Sequence, residues 1–97
     1  MLLDLIQKAV AMGADSLEIE YKDGRQQVCV MRGAMGVGIA SVKSNSPKST
    51  RLLAEIDALR KARRVQVGGV AYRAAVTEYD SFGEMAYRIA LAKGRRR

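Results

Sequence analysis

Three groups of residues in this sequence have the types and spacing to do chemistry. The first is the glycine run Gly33-Ala34-Met35-Gly36-Val37-Gly38, followed by Lys43-Ser44. Glycine-rich loops hold phosphate when their backbone N–H groups converge at a helix N-terminus, and a Lys-Ser pair closes the Walker A loop. That loop needs glycine where Val37 and Val42 stand, and the next helix start appears only at Ser46-Pro47. The run therefore reads as a bulged or tightly packed strand, and no nucleotide hydrolysis is expected.

The second group holds the carboxylates and nucleophiles. Glu18 and Glu20 share one face of a strand, and paired carboxylates do acid–base work when buried. Here they alternate with Leu17, Ile19 and Tyr21, which predicts a solvated face. Asp80 and Glu84 flank a turn and read as loop solvation. Ser49 and Thr50 have no imidazole to take their proton, because the chain contains no His. Cys29 has no basic neighbour on its own strand, so it reads as an inert thiol. No catalytic residue is assigned. With no His and one Cys, an internal disulfide is excluded and neither a metal nor a cofactor is expected.

The third group is basic. Arg73 and Arg88 each fall mid-strand, on the face opposite the apolar stripe, and two arginines on adjacent strands make a candidate anion-binding patch. Cross-strand pairing with Glu78 is the alternative. Tyr72 and Tyr79 flank the first of these strands, too few for a base-stacking platform. Two clusters, Arg60-Lys61 with Arg63-Arg64 and Lys93 with Arg95-Arg96-Arg97, are candidate nucleic-acid contacts. They also read as a helix terminus complementing its dipole and a solvated tail. The formal charge is +7, split as −3 over residues 1–24, +4 over 25–50 and +6 over 51–97. Such a balance favours acidic partners, whether nucleic acid, anionic lipid or an acidic protein surface.

The chain has 97 residues, 48% of them hydrophobic and 28% charged. That is enough for one modest core and no separate catalytic domain. The expected layout is a single α+β domain over residues 1–93 and a disordered basic tail over 94–97. No apolar run approaches the roughly 18 residues a membrane span needs. Asp4 and Lys8 interrupt the apolar N-terminus, so it does not read as a signal peptide. A cytoplasmic protein with no membrane insertion is expected.

The elements that would position these groups follow from periodicity. Leu2, Leu5, Ile6, Ala9, Val10 and Met12 make one helical stripe over residues 2–12, with Asp4 and Lys8 placed to pair, and Gly13 stops it. Period-two alternation predicts strands over 17–22, 27–32 and 37–42, with Asp23-Gly24 as a tight turn. Ser46 caps and Pro47 opens a second helix. Its buried stripe is Leu52, Leu53, Ile56, Leu59 and Ala62, and Arg51–Glu55 and Asp57–Lys61 are spaced to pair. A short strand at Val65–Val67, a Gly68-Gly69 hairpin, a strand over 70–79, a loop over 80–83 and a last strand from Met85 to Leu91 complete the order. The predicted fold is two α-β-β-β units, with both helices on one face of a mostly antiparallel six-stranded sheet. The expected core includes Leu5, Ile6, Ile19, Val30, Ile56, Leu59, Val67 and Ile89.

Three stretches carry a resemblance. Gly13-Ala14-Asp15-Ser16-Leu17-Glu18-Ile19-Glu20, Arg32-Gly33, and Gly83-Glu84 with Arg88-Ile89 stand in the order of G-A-S-D-I-H-I-E, R-x-D-G and G-E-x-x-x-x-R-[IL]. In these and in element order, residues 3–91 resemble the domain that precedes the ATP-binding core in type II secretion and type IV pilus ATPases. Ser-Asp is reversed at Asp15-Ser16, Glu18 replaces the His, and the Asp of R-x-D-G is missing. Walker A, Walker B and the catalytic carboxylates are lacking. The resemblance implies a non-enzymatic, stand-alone interaction domain. Its partner would be a protein, an ATPase core or a second copy of itself, and Arg88 would be the residue that approaches phosphates. A small basic nucleic-acid-binding protein is the alternative.

Overall fold

The computed structural model describes residues 1–93. Helix α1 (Leu2–Ala11) leads into strands β1 (Ser16–Lys22), β2 (Arg25–Arg32) and β3 (Met35–Lys43). Helix α2 (Pro47–Asp57) runs on through a 3-10 turn, Ala58–Arg60, into β4 (Arg63–Val67), β5 (Val70–Ser81) and β6 (Glu84–Lys93). The fold is α+β, with two α-β-β-β units in sequence. The strands form one antiparallel six-stranded sheet in the order β3-β2-β1-β6-β5-β4. The units meet where β1 pairs with β6, so β1 is central while β4, which holds the same place in its own unit, is an edge. The tail expected over 94–97 lies outside the described residues.

Sequence chemistry accounts for each boundary. Ser46 Oγ accepts the Ser49 N–H at 3.1 Å, and Pro47 follows in the first turn. The start of α1 is capped from outside its own segment. The Leu2 N–H donates to Glu55 of α2 at 3.0 Å, and the carboxylate also lies 3.8 Å from the Met1 amine. A carboxylate there offsets the helix dipole and ties the two helices together. Four hairpins close with two-residue turns, at Asp23-Gly24, Gly33-Ala34, Gly68-Gly69 and Phe82-Gly83. The glycine run is thus a turn followed by an edge strand. Ile39 is the extra residue where the β2–β3 register shifts, and the Met31 side chain lies over Gly36, where a Cβ would meet its sulfur at 2.7 Å. This is the bulged, closely packed strand that the missing Walker glycines predict.

Both helices pack on one face of the sheet. Leu2, Ile6 and Ala9 of α1, Leu52 and Ile56 of α2, and Leu59 meet Leu17, Ile19, Val28, Val30, Ala74 and Ile89 in a single cluster. Of the expected core, Leu5 and Val67 are only partly buried against this cluster. Ala62 is exposed, because the helical stripe ends when α2 tightens into the 3-10 turn. The same tightening redirects an ion pair. In a 3-10 turn residues three apart eclipse, so Asp57 pairs with Arg60, not Lys61. Asp4 contacts the Met1 amine at 3.8 Å and not Lys8, while Arg51 and Glu55 do meet at 3.8 Å. The segment expected as a loop over 80–83 is shorter, since Asp80 and Ser81 still pair with Met85 and Glu84. No helix among the described residues is long and apolar enough to cross a membrane.

Candidate functional site

The face of the sheet away from the helices is bare. Register places on it Glu18 and Glu20 of β1, Cys29 of β2, Arg73, Thr77 and Tyr79 of β5, and Arg88 of β6. Arg73 and Arg88 do lie on this face, but they do not form one patch. Arg88 stands opposite Thr77, four rungs from Arg73, or about 13 Å at the rise of a strand. Each arginine has a different neighbour from the one expected. Arg88 donates to Glu18 Oε2 at 3.1 Å and lies over the Tyr79 ring, 5.8 Å from its centre. Glu78, the partner suggested for either arginine, points to the helix side and binds Arg60 together with Asp57. Arg60, one of the candidate nucleic-acid contacts, is thus held between two carboxylates.

Glu18 is not solvated as its alternation suggested. Its side chain is 13% exposed, because Arg88 of the neighbouring β6 and Tyr79 of β5, one strand further along, close over it. The Tyr79 hydroxyl donates to its Oε1 at 2.8 Å. Burial, and then the bond to Glu18, hold the Tyr79 phenol well above the usual tyrosine range. The pH consequence has a definite sign. A group whose folded-state pKa is raised adds stability fully below its unfolded pKa, about 10 for tyrosine, and loses it as pH climbs through the folded value. An ultraviolet tyrosinate titration should therefore show Tyr79 ionising above the ordinary tyrosine range. Ionisation of Tyr79 at the ordinary tyrosine value would mean the Glu18 contact is absent.

Cys29 sits beside the same carboxylates. Burial first, and then Glu20 and Glu18, push its thiol up, which keeps it protonated and poorly nucleophilic at neutral pH. Ser49 is buried, and its hydroxyl donates to Gln26 at 2.7 Å. The Ser49 hydroxyl is thus turned to an amide and not to a base. Among the described residues no group of three or more His, Cys, Asp or Glu side chains could hold a metal ion.

A different set of charges comes together at the β4 edge. Arg64 stands directly across the ladder from Arg73, and Arg73 in turn from Ala92. Arg63, the preceding residue of β4, stands opposite Ala74, and Lys93 opposite Tyr72, so these two alternate to the helix side of the same edge. Lys61, Arg63, Arg64, Arg73 and Lys93 are all exposed. None of the ion pairs among the described residues includes them. Like charges directly opposite on a sheet repel, and here no carboxylate offsets them. Of the two candidate clusters, this edge keeps Lys61, Arg63 and Arg64 and adds Arg73. Arg95, Arg96 and Arg97 lie outside the described residues.

No protein-family model and no curated protein matches the chain. The resemblance to the secretion and pilus ATPase domain rests on the three stretches and on element order, and each stretch has a local role here. Gly13, at φ +72°, ends α1. Asp15 holds three strands at once. Its N–H donates to Met31 O at 2.9 Å, its carbonyl accepts from Leu91 N at 2.9 Å, and its carboxylate accepts from Gly33 N at 3.1 Å. Gly83 closes the β5–β6 turn, and Arg88 binds Glu18.

Periodicity overlooked the other end of the β5–β6 hairpin. Phe82 is fully exposed at its tip, with Met85 and Tyr21 also exposed nearby in register. Phe82 adopts φ +51° and Gly83 φ +84°. The corresponding turns hold Asp23-Gly24 and Gly68-Gly69, the residue types such a turn prefers. An X-Gly pair between two alternating runs was the available signal.

Proposed function

We propose that this chain is a non-catalytic interaction module that docks on an acidic protein surface through the basic corner formed by Arg64 and Arg73 on the bare face, with Arg63 and Lys93 on the reverse side of the same edge. The observation that carries this reading is the Arg64–Arg73 rung, two exposed like charges opposite one another with no internal carboxylate. An external anion removes the repulsion that the fold leaves in place, and arginine suits carboxylates through its paired donors. A protein partner is favoured over single-stranded nucleic acid by the bare face itself. Its aromatic residue near the centre, Tyr79, is engaged by Glu18 and Arg88, which withholds that ring from base stacking. The resemblance points the same way, towards an ATPase core or a second copy of the chain.

Duplex nucleic acid is the second reading. It is favoured by the basic run Lys61, Arg63 and Arg64 along an edge strand, with Arg95, Arg96 and Arg97 following Lys93 in sequence. Fluorescence titration against an acidic peptide and against random duplex DNA, over a range of salt, separates the two. The acidic peptide should bind, and Arg64→Glu with Arg73→Glu should weaken it at least tenfold, about 1.4 kcal/mol. Unchanged peptide binding by that double variant would sink the reading. Tighter binding to DNA, with affinity falling about 10³–10⁵-fold between 50 and 200 mM salt, would establish the nucleic-acid reading in its place.

A further inference from the structure

The hairpin formed by β5 and β6 has opposite chemistry at its two ends. At the open end stand Arg64, Arg73 and Lys93. At the turn end Phe82 is fully exposed, flanked by Asp80 on β5 and Glu84 on β6. Neither acid belongs to an ion pair among the described residues. Glu20 and Asp23 add two more carboxylates at this end, against Lys22. The tip is thus an apolar anchor between acids, and the corner is a pair of arginines without acids.

Phe82 is placed there at a cost to the turn. A bulky residue at positive φ is an outlier, and Asp and Gly occupy the same position in two sister hairpins of this chain. An exposed aromatic ring gains nothing in the isolated fold that would offset this. It gains in contact with another surface, where buried aromatics anchor interfaces. The corner offers a matching floor. Ala75, Ala90 and Ala92 lie beside Arg73 on the bare face, so a ring can approach the sheet closely there with the guanidinium groups of Arg64 and Arg73 at its rim.

One molecule cannot bring its own tip to its own corner. Phe82, just past the end of β5, is nine positions beyond Arg73, about 30 Å at the rise of a β-strand, in a molecule 43 Å long. From this complementarity we propose that the Phe82 tip of one copy docks into the Arg64–Arg73 corner of a second copy, head to tail. Phe82 lies on the alanine floor, and Asp80 and Glu84 meet the arginines. The contact rests on the docking role given above to the corner and names its partner. Because the two surfaces differ, the association is heterologous, so each copy leaves one tip and one corner open for the next. A hairpin tip covers much less than a standard interface, so the association is weak and rises with concentration.

Sedimentation analysis of the full chain at low salt, up to millimolar concentration, tests this with two variants. Phe82→Asn removes the anchor while giving the turn a residue it prefers, so the melting temperature should hold or rise. Arg64→Glu with Arg73→Glu reverses the corner. Wild type should grow beyond a dimer with concentration and return towards monomer in high salt. Each variant alone should weaken association at least tenfold. Mixing them pairs the intact corner of the first with the intact tip of the second, and should yield a heterodimer that grows no further. A wild-type mass independent of concentration overturns the proposal, as does undiminished association of Phe82→Asn or a mixture that stays monomeric. If these fail while the corner still binds an acidic peptide, the head-to-tail contact is wrong and the docking corner stands. If the arginine variant keeps its peptide binding, the docking corner itself falls.

Discussion

Leu52→Ala should lower the unfolding free energy by about 2–5 kcal/mol, the usual cost of emptying a buried leucine site. Leu52 is completely buried, and it faces the sheet one helical turn from Ile56. A domain of this size has about 5–15 kcal/mol in all, so the loss is a large share. At about 4–8 °C per kcal/mol for a chain this short, the melting temperature should fall by about 8–40 °C. The exposed neighbour Ala54 supplies the control. Ala54→Ser should change stability by less than about 0.5 kcal/mol. The contrast matters because α2 and its 3-10 turn cover the sheet by one stripe only. Chemical denaturation of both variants measures it, and near-equal midpoints would mean that α2 does not lie on the sheet as described.

Local chemistry made the elements legible. Capping by Ser46, the Pro47 start, the Gly13 stop and period-two alternation all act over a few residues, and the structure repeats them. Hairpin register is nearly as accessible. Counting back from Gly68-Gly69 sets Arg64 against Arg73, and counting from Phe82-Gly83 sets Arg88 against Thr77. The four-rung offset that separates Arg73 from Arg88 therefore follows from two turns, once Phe82-Gly83 is taken as a two-residue turn and not as part of a longer loop. Phe in a position that favours Asn, Asp or Gly concealed it.

The β1–β6 junction was not legible. These strands are about 70 residues apart in sequence and no turn connects them, so local patterning does not specify that they pair. Their pairing places Glu18 against Arg88 and turns an alternating, seemingly solvated carboxylate into an enclosed one. Alternation assigns a side chain to a face of the sheet. What stands beside it on that face depends on strand order. The same limit explains why Glu78 was matched with the wrong arginine. It lies on the helix side, where the 3-10 turn after α2 delivers Arg60.

That junction sets the second large effect. Glu18→Ala should destabilise the protein by about 1–3 kcal/mol, the range for leaving an enclosed polar partner unsatisfied. The Tyr79 hydroxyl loses its acceptor, and β1 loses its side-chain link across β6 to β5. Arg88 adds little to the figure, because its side chain is 56% exposed and water replaces the lost carboxylate. Glu18→Gln separates the contributions. Its amide oxygen still accepts from Tyr79 while the charge is gone, so it should cost under about 1 kcal/mol, in line with a largely exposed ion pair. The Tyr79 titration should follow the same order. It should move down towards the ordinary tyrosine range in Glu18→Ala, since the acceptor favouring the protonated phenol is removed, and removing the carboxylate charge should also lower it in Glu18→Gln. Thermal unfolding and tyrosinate titration of the two variants together make the check. Equal destabilisation by Ala and Gln would assign the energy to the charge, and the Tyr79 hydrogen bond would then contribute nothing measurable.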